Sequence, residues 1–167
     1  MLRVGGRTLK FIVYGVEIFL VYVLQSTPLL LPAFFGERPM LLTMCAVSMA
    51  VFEGDVTGMW FGLAAGLMLD VGSTGPFGFY GLVHLAVCFG CGALVMSLMR
   101  NNVVTALLLG LASCVIVCTL QWIFFAGSWD IVFFVPQILL PRVAYSVACM
   151  PLFFYFNRAI ATRLYDE

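Results

Sequence analysis

The sequence predicts an all-α integral membrane protein of six transmembrane helices, two of them short, with both termini cytoplasmic. Three observations lead there. The 167 residues are 63% hydrophobic and 10% charged, with a mean hydropathy of +1.11. Soluble domains run at roughly 45–50% apolar and about 25% charged. At about 20 residues per span plus loops, the chain holds five or six spans and no soluble domain, so 1–167 is expected to form a single transmembrane domain. Finally, most basic residues stand at the ends of the apolar segments, where they set orientation.

Span 1, about 11–31, follows Arg3, Arg7 and Lys10, ends at Pro28 and Pro32, and carries Glu17 and Gln25. Its apolar run is too long for a signal-peptide core and lacks a small-x-small end, so it is expected to remain as a span. Pro39 suits the first turn of the next helix. Span 2, about 40–52, gives roughly 20 Å of helix, short for a hydrocarbon layer of about 30 Å. Span 3, about 57–71, is short and rich in glycine.

Between spans 2 and 3 lie Glu53, Gly54 and Asp55, which allow either a turn or one long helix with buried acids. Charge decides. With a cytoplasmic N-terminus, six spans place Arg3, Arg7, Lys10, Arg100, Arg158 and Arg163 inside, leaving Arg38 outside and Arg142 within a span. Five spans would put Arg38, Arg100, Arg158 and Arg163 outside, against the excess of Lys and Arg in cytoplasmic loops.

Span 4, about 79–99, contains His84 and ends at Arg100-Asn101-Asn102. Span 5, about 103–126, ends in an external turn at 127–130. Span 6, about 131–156, contains Pro136, Pro141, Pro151, Gln137 and Arg142, and the tail NRAIATRLYDE is expected to fray. Prolines within a span are tolerated where neighbours satisfy the freed carbonyls.

One stretch organises the rest. Gly54, Gly58, Gly62 and Gly66 recur every fourth residue, and the same register continues to Asp70. That spacing stacks the glycines along one helix face, where another helix, from this chain or a partner, can approach to backbone contact. After Asp70, the glycines and Pro76 of VGSTGPFG end the helix.

Charged and polar groups inside spans are the candidate sites. Asp70 stands at a helix end near the external face, suited to capping the next turn, pinning the 72–78 loop or meeting a partner. Arg142 lies about ten residues into span 6, where an arginine costs at least ~2.5 kcal/mol and calls for a partner. By rise along the helix, Gln25 matches its depth at roughly 20 Å from the cytoplasmic edge, and Glu17 lies at about 9 Å. A tie from Arg142 to Gln25, or outward to Asp70 by snorkelling, is therefore expected. His84 suits a hydrogen-bonded interior residue, and Glu17 either faces interfacial water or marks a site.

The six cysteines, Cys45, Cys88, Cys91, Cys114, Cys118 and Cys149, sit in apolar runs, where thiols pack as small hydrophobes. Cys88 and Cys91 form a lone CxxC without the further ligands a metal site needs. No basic cluster suggests nucleic acid, and no nucleophile and base pair, metal set or phosphate loop is present, so neither catalysis nor a cofactor is expected.

Three pieces together resemble the rod shape-determining protein MreD family: VLQSTP at 23–28, ERP at 37–39 and, above all, GLAAGLMLDVGSTGPFG at 62–78. In that family a glycine-spaced helix runs into an aspartate, a short Gly/Ser loop and a Leu-Gly or Phe-Gly pair, roles that fall here on Gly62, Gly66, Asp70, Gly72, Ser73, Phe77 and Gly78. The resemblance implies a non-enzymatic scaffold in the bacterial cell membrane. It would bind MreC, work with MreB and the peptidoglycan synthases, and contact membrane lipid. It also implies a fold similar to the substrate-binding subunit of energy-coupling-factor transporters. A small-molecule-binding subunit of that kind is the alternative, with a cavity near Asp70, His84 and Arg142; span 1 lacks the AxxxA-type motif such subunits use for docking.

Overall fold

The computed structural model describes residues 3–27, 39–73, 75–97, 102–125 and 139–163. Six helices and no strand are found among them: α1 (Arg3–Ser26), α2 (Leu41–Glu53), α3 (Asp55–Gly72), α4 (Phe79–Ser97), α5 (Val103–Phe125) and α6 (Leu140–Arg163). Stretches of α1, α4, α5 and α6 are long and apolar enough to cross a membrane. The expectations for Pro28, Pro32, Glu37, Arg38, Arg100, Asn101, the 127–130 turn, Pro136 and Gln137 lie outside the described residues.

Helix α2 is the centre. Its 13 residues contact all five other helices, and Leu41–Val51 are buried all round. A helix apolar on every face belongs in an interior. Being enclosed by protein, it need not match the bilayer thickness. Its two ends are held differently. Helix N-termini leave their first N–H groups without internal partners, and here two are taken by side chains from other helices. Met40 N donates to Ser146 Oγ of α6 (2.8 Å) and Leu42 N to Gln25 Oε1 of α1 (2.9 Å). At the other end, Gly54 adopts φ +85°, a conformation that favours glycine. Its N–H bonds Ala50 O, and its carbonyl accepts from Gly58 N as α3 begins. The chain therefore turns at Gly54 rather than continuing as one helix, and α3 folds back on α2 with Gly58 against Ala50.

Around this centre, α1 packs on α2 and α3, α3 on α4, and α6 on α2 and α5. Tyr14, Ile18 and Val21 of α1 point inward while Ile12, Val16, Phe19, Leu20 and Val23 face outward. On a soluble protein such exposure would be an aggregation surface; here it suits contact with lipid. Across the core, Ser48 accepts a hydrogen bond from Asn157 Nδ2 (3.0 Å), and Phe52 packs on Phe154.

Helix α1 starts at Arg3, upstream of the expected onset at 11. Helix α6 runs through the expected tail to Arg163, because Asn157 and Ile160 are buried and Asn157 is bonded to α2. Fraying is thus not what the first part of NRAIATRLYDE does. Pro141 sits in the first turn of α6, where no N–H is missed, and Pro151 lies in its interior.

Ser146→Ala should expose the importance of the borrowed cap on α2. Leaving the buried Met40 N–H unpaired should cost about 1–3 kcal/mol, read as a lower unfolding midpoint in detergent. Thr162→Ala, on an exposed hydroxyl bonded only within its own helix, should stay within about 0.5 kcal/mol of the parent.

Candidate functional site

The stripe from Gly58 to Asp70 faces the chain's own helices. A Cβ on Gly58 would lie 2.6 Å from Ala50 Cα, and one on Gly62 would lie 2.7 Å from both Cys88 Cβ and His84 O. At Gly66 it would meet the Tyr80 carbonyl and lie 2.7 Å from Gly81 Cα. Lower down, Gly92 of α4 allows Asp55 Cα an equally close approach, so α3 and α4 are in backbone contact along most of their length. Such proximity gives dispersion contact that larger side chains would forbid. At Gly54, a Cβ would lie 2.8 Å from Met96 Sδ.

Asp70 completes this face. It is 3% exposed, and its carboxylate accepts from the backbone N–H groups of Tyr80 (Oδ1, 3.0 Å) and Gly81 (Oδ2, 2.9 Å). These are N–H groups of the first turn of α4, so Asp70 caps the next helix from the end of the preceding one. An anion there also meets the positive end of the helix dipole. Ser73 closes α3, its N and Oγ both donating to the carbonyl of Asp70. Gly78, at φ +100°, provides the bend into α4.

His84 is fully buried. Tyr80 O can only accept, so Nδ1–H donates to it (2.9 Å), and in the neutral ring Nε2 accepts from Thr43 Oγ1 of α2 (2.9 Å). Both ring nitrogens are therefore engaged within the protein.

Arg142 is not tied to Gln25. Its Nη1 donates to Gln121 Oε1 of α5 (3.3 Å), beside Tyr80, and its Nε has no hydrogen-bond partner. Gln25 instead serves Leu42 N. The expectation matched the two residues by depth alone, which does not fix azimuth: α1 and α6 flank α2, whose N-terminus takes Gln25.

Glu17 is not at a wet interface. It is 7% exposed between α1, α2 and α6, with its carboxyl beside the Cys45 thiol and the Asn157 side chain. Seven residues earlier on α1, Lys10 forms an ion pair with Glu53, which also accepts from Tyr14 Oη (3.0 Å). This group ties the start of α1 to the α2–α3 turn.

Among the described residues, two of the cavities lie between helices. One, of about 800 Å³, lies between α4 and α5; the other, of about 440 Å³, lies between α1 and α6 with Glu17 in its wall. Asp70, His84 and Arg142 line neither. Among the described residues no three His, Cys, Asp or Glu side chains converge as metal ligands. Among the described residues the arrangement offers hydrogen bonding and close packing.

Sequence reasoning passed over Thr43, Ser48, Ser146 and Asn157, the buried polar groups that fasten α2. Their signal was a polar side chain within an apolar run, which is weak for Ser and Thr because they also bond their own helix. Gly92 was equally visible as a small residue but lies outside the four-residue register.

Attacking the α3–α4 contact should destabilise the fold at either end. Gly66→Ala should cost about 1–3 kcal/mol through overpacking, and Asp70→Ala about 0.5–2 kcal/mol through the lost cap. Gly90→Ala, where nothing lies within 4 Å of the added Cβ, should be neutral or stabilising by about 0.5–1 kcal/mol. Detergent unfolding curves of the three variants make the comparison.

No curated protein matches the chain, and no solved structure does. A family model does, and it covers residues 6–160, from the first turns of α1 to the last turns of α6. With the glycine-spaced α3, the capping Asp70 and the surrounding apolar helices all inside that match, the chain belongs to the rod shape-determining protein MreD family, whose members are membrane proteins that determine cell shape.

Proposed function

We propose that this protein is a non-catalytic membrane scaffold of the bacterial cell-elongation complex, binding MreC and helping to couple MreB to peptidoglycan synthesis. The family match over nearly the whole chain carries the reading. The interior supports it: Asp70 and His84 bond to the protein's own backbone and to Thr43. Those groups hold helices together and have little left to offer a solute, which favours a scaffold over a transport subunit. Because Gly58, Gly62 and Gly66 are covered by α2 and α4, partner binding falls to other faces of the bundle.

Both termini are assigned to the cytoplasm. The Lys10–Glu53 pair sets the start of α1 beside the α2–α3 turn, and the positive-inside rule sets that side inward. A C-terminal fluorescent protein, which folds in the cytoplasm but not when exported unfolded, should therefore light up. A dark fusion at normal protein level would reverse the orientation.

Depleting the protein from a rod-shaped host should give rounded cells, and re-expression should restore rods. The restored protein should bring MreC with it on mild detergent extraction. Retention of rod shape after depletion, or purification free of MreC from cells that contain it, would refute the scaffold reading.

A further inference from the structure

We infer that the seam where α2, α5 and α6 meet is a site for one soft metal ion, Cu(I), held by the sulfurs of Cys114, Cys118 and Met40 and charge-compensated by Arg142.

Each of the three helices turns residues spaced by four into this seam, so that they stack along it. Gly110, Cys114 and Cys118 come from α5, and all three are buried. From α6 come Arg142, Ser146 and Met150, and from the start of α2 come Met40 and Met44, whose N–H bonds Met40 O. Cys118 Sγ lies 3.6 Å from Met40 Sδ, with Met40 only 3% exposed. Cys114, one turn earlier on α5, has Cys118, Ser146 and Arg142 as its neighbours. Met40 is tied to the same place through its N–H, which donates to Ser146 Oγ. At the next level, the sulfurs of Met44 and Met150 would lie 3.2 and 3.4 Å from a Cβ on Gly110. Sulfur thus lines the seam from all three sides.

The donor set selects the ion. Thiolate and thioether ligands favour soft cations, whereas Mg²⁺, Ca²⁺ and Mn²⁺ call for oxygen. A structural zinc takes four ligands from thiolate, imidazole and carboxylate, but His84 is bonded to Tyr80 O and Thr43, and Asp70 to the N–H groups of Tyr80 and Gly81. Cu(I) is satisfied by fewer ligands, and here the third is a thioether. With metal–sulfur bonds of about 2.3 Å, the two sulfurs 3.6 Å apart would subtend about 100° at a shared ion, leaving space for another sulfur. As a thiol, Cys118 donates to Met40 Sδ. Binding releases that proton and the Cys114 proton to the buffer, so Cu(I) with two thiolates carries one net negative charge.

That charge has its counterpart in place. Among the described residues Arg142 donates to a neutral amide, Gln121 Oε1, and its buried Nε has no acceptor. A cation within a span calls for an opposite charge. The thiolate-bound ion beside Cys114 supplies one. Apolar packing of the sulfurs would fill the seam but leave Arg142 unanswered. The CxxC of α4 has a different setting, since Cys91 Sγ meets Ser113 Oγ (3.4 Å).

The test titrates Cu(I) into the full-length protein in detergent, reduced and under argon, in competition with the chromogenic chelator bicinchoninate. The protein should withdraw one ion per chain, and its X-ray absorption spectrum should show a shell of sulfur. Cys114→Ser combined with Cys118→Ser should abolish binding. Met40→Leu, which conserves volume, and Arg142→Gln should each weaken it about 10–100-fold. Cys88→Ala with Cys91→Ala should leave it unchanged. Unfolding midpoints of the metal-free variants show which are folded, and Met40→Leu decides if the serine variant is not. Failure to compete with the chelator, parental affinity in Met40→Leu, loss of binding with Cys88 and Cys91, or a shell of oxygen and nitrogen would overturn the inference. No readout involves MreC or cell shape, so the result stands apart from the scaffold reading.

Discussion

The fold depends on the enclosure of α2. A short helix with no outward face cannot be stabilised by lipid, so each neighbour must cover a part of it. Packing alone would leave such a helix free to slide or rotate, because Leu, Met, Ala and Val make similar surfaces. Directional bonds remove that freedom. Gln25 from α1, His84 from α4, and Ser146 and Asn157 from α6 each meet a different point on α2, two at its N-terminal N–H groups and two at Thr43 and Ser48. Apolar surface supplies the contact area, and these bonds set rotation and register.

The α3–α4 hairpin is built on the opposite plan. Glycines bring the backbones together, and Asp70 fastens the two helix ends across the loop. Its closeness leaves little room for adjustment, since the backbones meet there without intervening side chains. By contrast, α4 and α5 meet mainly where Phe79 and Tyr80 pack on Phe124 and Phe125. The α3–α4 hairpin and the α5–α6 pair share α2 as their common wall.

Much of this was legible in the chain. Composition and segment length gave the membrane class, and the four-residue glycine register pointed to close helix contact. The turn at Gly54 followed from charge placement, although the structural cause is a positive φ that the sequence only permits. What could not be read was azimuth. Depth along a helix is linear in residue number, but which helix Gln25 or Arg142 faces depends on how the bundle closes. The burial of Glu17 was missed for the same reason: its position on α1 gives height, whereas its seclusion comes from α2 and α6. Thr43, Ser48 and Ser146 escaped notice because hydroxyls in membrane helices are common and only their partners distinguish them.

The reach of the bonds to α2 also sets an order in time. Met40 and Ser146 are 106 residues apart, and Ser48 and Asn157 are 109. During synthesis α2 emerges long before α6, so its most polar points wait without their final partners while the intervening helices enter the bilayer. A nascent chain stopped after α4 would have a centre that is half covered, with the Met40 N–H and the Ser48 hydroxyl still open. Completion of α6 is thus the event that closes the core around α2.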